Sequence, residues 1–312
     1  MDIGTERYQI LSAGERPDLH QACQKPGHPL AGIWPEWIKH TASTDKYWKL
    51  MTTIPDIAQL QFMVVVPDPT DNTGLKVIAR ARSIPFHRHN SHIPESCKAI
   101  FGPLPDGGLD DVLRLGMEYY LNLDVGKSSS KLEPNTLSAL GITVDPAWRN
   151  KGTASLLIHT LKQAAAKMGL RHLVVPARPT LKYRYLDVDM TEYVLWGQSG
   201  AVHTSFENIT LSGDRPFDPW LRLHVSLGAR MVKIAPSSMT VEADTSTWTR
   251  WLGTDIFKER AAEAEADKAG QETVTIVIPG GLAKLSYFPS AGIARYVEPN
   301  VWMEYDLTDI GK

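Results

Sequence analysis

The sequence predicts an α/β chain of the α+β kind, and three observations predict it. Leu140–Leu157 joins an apolar strand to a long amphipathic helix through Pro146 and a basic turn containing Gly152, and the β-rich run His172–Ala177 follows. Two apolar runs, Leu60–Val66 and Leu75–Arg82, flank the turn-rich Pro67–Gly74 and form a hairpin. Thr273–Ile278 and Val297–Tyr305 supply late strands in the C-terminal half. No internal repeat interrupts this mixture.

Taken in order, Tyr8–Ser12 reads as a first strand, followed by a helical region bearing Trp34, Trp37, Tyr47 and Trp48. These tryptophans fit a core or the lining of an acceptor pocket. After the hairpin, Pro103–Gly108 is loop, Leu109–Leu121 is a helix with Asp110 and Asp111 in its first turn, and Lys127–Lys131 is a connector. In the next helix Ala154, Leu157, Leu161, Ala164, Ala165 and Met168 share one face. Gly169 stops that helix, and Lys167 suits its C-terminal dipole. The return to His172–Ala177 makes a right-handed crossover. Lys258–Gly270, rich in Ala, Glu and Lys, is a solvated surface helix.

The turn after Val144 carries chemistry. A strand that stops at a proline and re-enters a helix within a few residues leaves backbone N–H groups unpaired at the helix start. Those groups and the helix dipole converge on one spot, which suits a phosphate or pyrophosphate.

Global properties remove other classes. The chain has 312 residues, 43% of them hydrophobic, enough for a large core. A net charge of −2 with mixed signs gives no nucleic-acid surface. Cys23 and Cys97 alone make neither a disulfide framework nor a four-ligand zinc site. His87, His89 and His92 are close together but lack Cys or acidic ligands at useful spacing, so no metal is expected and a loop at the substrate mouth is. The N-terminus has no signal-peptide order, and no apolar run approaches the ~18 residues of a membrane span. A cytoplasmic chain without membrane or nucleic-acid partners is the expectation.

Ile142-x-Val144-x-Pro146-x-x-Arg149-x-x-Gly152-x-Ala154-x-x-Leu157 resembles the acyl-coenzyme A (acyl-CoA) signature of GNAT-type N-acetyltransferases. Leu221–Ala229, with its Leu227-Gly228 end, resembles the last helix of that fold. The resemblance implies the GNAT fold: a mixed, mostly antiparallel central sheet flanked by helices, its strands splayed at the acyl-CoA site. It implies one enlarged domain over residues 1–312, with the acyl-CoA core at about 137–231, an insertion at about 183–216 and C-terminal strands at about 231–307. By position, Arg149, Asn150, Lys151, Gly152, Thr153, Ala154 and Ser155 would hold the pyrophosphate, while Ile142, Thr143 and Val144 would pair with the pantetheine amides. A backbone N–H near Val144 would serve the oxyanion.

Where the family usually places a thiolate-protonating tyrosine, this chain has His224, four residues before Gly228. A histidine is competent as acid or base. The stretch from Pro176 to Arg222 also resembles GNAT-like domains of polyketide loading modules, in which a threonine and a histidine face the thioester; Thr180 and His224 match them. Tyr183, Tyr185 and Tyr193 lie in the same segment and are candidates to reach the thioester, ranked behind His224, and Glu298 and Glu304 are candidate bases. Ser237–Thr240 offers no cation for a malonyl carboxylate, whereas Arg178, Lys182 or Arg222 would supply one. The resemblance therefore implies an acyl-CoA-dependent N-acyltransferase using acetyl-CoA as co-substrate and a small-molecule amine as acceptor. Transfer or decarboxylation on an acyl carrier protein is one alternative, and a non-catalytic acyl-CoA-binding module is another.

Overall fold

The computed structural model describes residues 7–88, 104–123, 132–199, 215–258 and 273–308. In chain order these form β1 (Gln9–Ser12), α1 (Pro17–Ala22), α2 (Ala42–Tyr47), α3 (Pro55–Ala58), β2 (Phe62–Pro67), β3 (Leu75–Phe86), α4 (Gly108–Tyr120), β4 (Thr136–Val144) and α5 (Thr153–Lys167). Then come β5 (His172–Ala177), α6 (Met190–Tyr193), α7 (Pro219–Ser226), β6 (Arg230–Asp244), α8 (Thr245–Leu252), β7 (Val274–Ile276), β8 (Leu285–Phe288) and β9 (Ile293–Asp306).

The described strands make one sheet in the order β1-β2-β3-β4-β5-β9-β8-β7, with β6 paired to β9 off that path. Every neighbouring pair is antiparallel except β4 and β5. That exception follows from the crossover helix α5, since parallel strands need such a connection. The expected mixed, mostly antiparallel sheet flanked by helices is what the chain forms. One face carries α5 and α7, where Leu157, Leu161 and Ala165 pack with Ala139, Leu173 and Val175. Each leucine enclosed there contributes about 1.5–3 kcal/mol of transfer free energy. On the opposite face, Leu113 and Met117 of α4 meet Ile84, Val174 and Trp302.

Both predicted helix stops are observed. Gly169 (φ +72°) and Gly228 (φ +90°) take the left-handed conformation after α5 and α7. The amides of Gly169 and Leu170 bond Ala166 and Ala165, and those of Gly228 and Ala229 bond Val225 and His224. These bonds satisfy carbonyls the helices would otherwise leave bare. The buried stripe of α5 is Thr153, Leu157, Ile158, Leu161 and Ala165. Met168, expected on that face, is 42% exposed because it is the C-cap, where the chain turns away and Leu170 enters the core instead.

Of the two late strands, β7 is shorter than the expected Thr273–Ile278 and β9 is longer than the expected Val297–Tyr305, beginning at Ile293, while α8 and β8 carried no clear sequence signal. The expected connector at 127–131, the loop residue Pro103, nearly all of the surface helix at 258–270, His89, His92 and Cys97 lie outside the described residues. Cys23 is buried. Among the described residues no helix is long and apolar enough to cross a membrane.

Candidate acyl-CoA and acceptor site

β4 and β5 pair only over Thr136–Ser138 and His172–Val174, although β4 runs on to Val144 and β5 to Ala177. The register of β4 against β3 slips where Gly141 faces Arg82 and Ala139 faces Ser83, which leaves Leu140 as the extra residue of a bulge. A bulge bends its strand and sharpens its twist. This one stands just beyond the last β4–β5 pair, where the two strands diverge into a V. Ile142 and Val144 pack with the α5 cluster, so Thr143 between them faces the other side of the sheet.

Beyond the V, Asp145 organises the turn. Its amide donates to the Ile78 carbonyl (2.9 Å), its Oδ1 accepts from the Ala147 amide (3.0 Å), and its Oδ2 pairs with Lys76 Nζ (3.2 Å). The backbone then passes through Asn150 (φ +60°) and Gly152 (φ +81°). Nothing lies within 4 Å of a Cβ built on Gly152, so backbone conformation rather than space requires glycine there. Thr153 Oγ1 donates to the Trp148 carbonyl (3.1 Å), and the first helical bond runs from Leu156 to Gly152. The amides of Asn150, Lys151, Gly152, Thr153, Ala154 and Ser155 make no backbone hydrogen bond. The turn thus gathers the predicted residues as a row of free donors, with Arg149 and Lys151 exposed and the Lys151 ammonium 4.7 Å from the Trp148 ring centre. This donor set fits a pyrophosphate by chemistry and by placement.

The catalytic candidates are dispersed. His224 is wholly enclosed, with Nδ1 2.7 Å from the Tyr305 hydroxyl, Nε2 unpartnered and Trp220 edge-on at 4.6 Å. Loss of water pushes its pKa down to about 3, so the ring is neutral. Thr180 is exposed and donates weakly to Asp218 (3.3 Å), while Tyr183 is 43% exposed and its hydroxyl accepts from Arg184. Thr180 and His224 share no hydrogen bond. Tyr193 is buried and donates to Asp218 Oδ2 (2.9 Å), and its pKa is raised by burial and by that carboxylate. Asp218 was not anticipated. It caps α7 through the amides of Trp220 and Leu221 and also accepts from the Leu181 amide, so it joins the insertion to the last helix. Asp at the residue before Pro219 was the available signal.

On the face opposite α5 lies a second cluster. Trp34 Nε1 donates to Thr143 Oγ1 (3.2 Å) on β4, and the Trp34 ring lies 5.8 Å from the Arg178 guanidinium carbon just past β5. Trp34 therefore spans the two arms of the V. Arg178 forks onto Glu298, which is fully buried and also accepts from Tyr296 (2.6 Å) and Asn300 (3.3 Å). Glu304 is taken up elsewhere, clamped by Arg88 and Arg230, both at 2.6 Å. Hydrogen bonding to His172, with those two cations, holds its carboxyl down at about 2 against the cost of burial. Lys182 is buried, its ammonium donating to the Tyr185 carbonyl (2.8 Å). Arg222 donates to the carbonyls of Pro216 and Phe217. Among the described residues no group of His, Cys, Asp and Glu could hold a metal.

An arginine N-acetyltransferase of Aspergillus versicolor is 36% identical to this chain over 300 residues, covering 96% of it and 94% of the relative. The chain belongs to the GNAT-type N-acetyltransferases. It is an acyltransferase. No protein-family profile matches the GNAT chain. Among solved structures, the loading GNAT-like domain of CurA from Lyngbya majuscula aligns with 16% identity over 96% of this chain and 98% of its own, at a TM-score of 0.48. The GNAT-like decarboxylase GphF in complex with isobutyryl-CoA aligns with 15% identity over 96% and 99%, at a TM-score of 0.44.

Proposed function

We propose that this GNAT chain transfers an acetyl group from acetyl-CoA to a small-molecule amine, within a ternary complex and in the cytoplasm, and that the acceptor is of the arginine type. The observation that carries the donor half is the row of free amides from Asn150 to Ser155 beside Arg149. These would hold the pyrophosphate, and the unpaired edge of β4 at Ile142, Thr143 and Val144 would receive the pantetheine amides. The thioester would then enter the V, whose far side is bordered by Trp34 and Arg178. The acceptor class rests on the named activity of the Aspergillus relative.

In the reaction the amine nitrogen attacks the thioester carbonyl, the carbon–sulfur bond breaks, and the amine proton leaves as the thiolate is protonated. We assign His224 the part of a neutral hydrogen-bond donor. With its pKa near 3 it is a poor base for an ammonium, and if the Tyr305 hydroxyl donates to Nδ1, Nε2 carries the hydrogen. Nothing at Thr180 or His224 favours a carrier-protein substrate over a small amine.

Thermal melting with and without acetyl-CoA, followed by thiol release with arginine and simple alkylamines, tests the proposal. Stabilisation together with amine-dependent release of free coenzyme A is expected; no shift at saturating acetyl-CoA refutes the donor site. His224→Ala is expected to keep acetyl-CoA binding while lowering turnover, and unchanged turnover would confine His224 to packing.

A further inference from the structure

We propose that Arg178 orients the amine acceptor, its Nη1 donating to a carbonyl-type oxygen that the acceptor carries beside its reacting nitrogen. This rests on the acyltransferase function proposed above and names a determinant of which amines are used. Ala177, the residue before Arg178, packs with the α5 cluster, so Arg178 leaves β5 toward the opposite face, where Trp34 bridges the arms of the V. Trp34 and Arg178 thus border the V on the side away from α5.

The guanidinium is fixed before any ligand arrives. Nε and Nη2 reach the two carboxylate oxygens of Glu298 at 2.8 and 2.9 Å, and Nη2 also donates to the Gly280 carbonyl. Glu298 is itself immobilised by Tyr296 and Asn300. A bidentate fork of this kind fixes both position and plane. Among the described residues the fork and the Gly280 carbonyl engage Nε and Nη2 and not Nη1, the Tyr296 hydroxyl also interacts with the group, and the side chain keeps 18% of its surface exposed. A structural ion pair has no need to leave its guanidinium part-exposed beside the V. A group that positions a ligand does need such exposure, and needs to be held rigid so that little entropy is lost on binding.

The chemistry of the ligand follows from the charge. Guanidinium can only donate. Because Glu298 cancels its charge at contact distance, long-range attraction for an anion is small and the directional hydrogen bond remains. A carboxylate oxygen or an amide oxygen on the acceptor would both serve.

The test compares arginine, arginine amide and agmatine, which share a side chain and an amine but differ in the neighbouring oxygen; agmatine has none. With saturating acetyl-CoA, the wild-type protein is expected to use arginine or its amide roughly tenfold or more better than agmatine in kcat/KM, the worth of one hydrogen bond to a charged group. Arginine ahead of the amide marks a carboxylate, and the reverse marks a neutral carbonyl; either supports the assignment. Arg178→Lys is expected to shrink the preference to about twofold, mainly through KM, because an ammonium cannot hold the fork and present a third nitrogen. Equal use of all three acceptors by the wild type overturns the role of Arg178 while leaving the acyltransferase function standing, as does an undiminished preference in Arg178→Lys. No acetylation of any of the three, with acetyl-CoA bound, overturns both. Should Arg178→Lys fail to fold, the wild-type ratio decides alone.

Discussion

Between Val144 and Ser155 the proposed donor end of the V is built from one unbroken stretch of chain, whereas the proposed acceptor end joins residues far apart in sequence. Trp34 and Thr143 are 109 positions apart, and Arg178 and Glu298 are 120 apart. The donor end depends on backbone: a bulge at Leu140, two left-handed residues and a row of unpaired amides. The acceptor end depends on side chains whose partners must each be present. A site made of backbone tolerates most side-chain changes and fails where a conformation is lost. A site made of buried polar side chains fails wherever one partner is removed. The two ends are therefore separately breakable.

The largest effect is expected at Gly152. Gly152→Val forces a β-branched residue into φ +81°, at a cost of roughly 1–2 kcal/mol or more, and turns the amide row out of line. Acetyl-CoA affinity by calorimetry should fall about a hundredfold, the loss expected from two or more charge-assisted bonds. An affinity within a few fold of wild type would remove the turn from the donor site.

Next comes the acceptor end. Glu298→Leu leaves Arg178 without its buried partner, and breaking such a pair costs about 3–5 kcal/mol. A clear drop in Tm is expected together with loss of acceptor selectivity, while acetyl-CoA affinity per folded molecule stays near wild type. Equal loss at both ends would show that they are not separable.

The smallest effect is a pH dependence that touches both sides. Burial, and for His20 the neighbouring Arg82 and Arg80, pushes His20 and His224 down to about 3, against 6.5 when exposed. The unfolded chain therefore takes up protons below pH 6.5 that the folded chain refuses, and this stability is full above 6.5 and drains away as pH falls toward 3. Asp110 runs the other way, since burial raises it to about 6 and its contribution is lost as pH rises through that value. With two histidines against one aspartate, Tm should fall between pH 7 and pH 5. A flat or rising Tm across that interval would contradict the enclosure of these rings.

The same contrast explains what the sequence disclosed. The strand, turn and α5 were legible because a stop at Pro146, glycine at a left-handed position and helical periodicity are all local signals. The Gly169 and Gly228 ends were legible for the same reason. Arg178 was one of three candidate cations and Glu298 one of two candidate bases, and nothing local could pair them with each other. Asp218 hid in a plain capping position, although its partners Thr180 and Tyr193 lie 38 and 25 residues away. Long β6 fell within the C-terminal strands implied at about 231–307 but received no bounds of its own, because its half-exposed pattern against β9 shows little alternation.

The pairing of Arg178 with Glu298 has one more consequence, in ionic strength. Arg149 and Lys151 stand in solvent at the donor turn, where added salt screens them over a Debye length of about 8–10 Å. Arg178 carries its counter-ion with it, inside the fold and at contact distance, so mobile ions have little left to screen. Concentrated salt should therefore loosen the grip on the nucleotide end of the donor and leave the choice of acceptor almost untouched, giving an enzyme that slows in brine without becoming promiscuous.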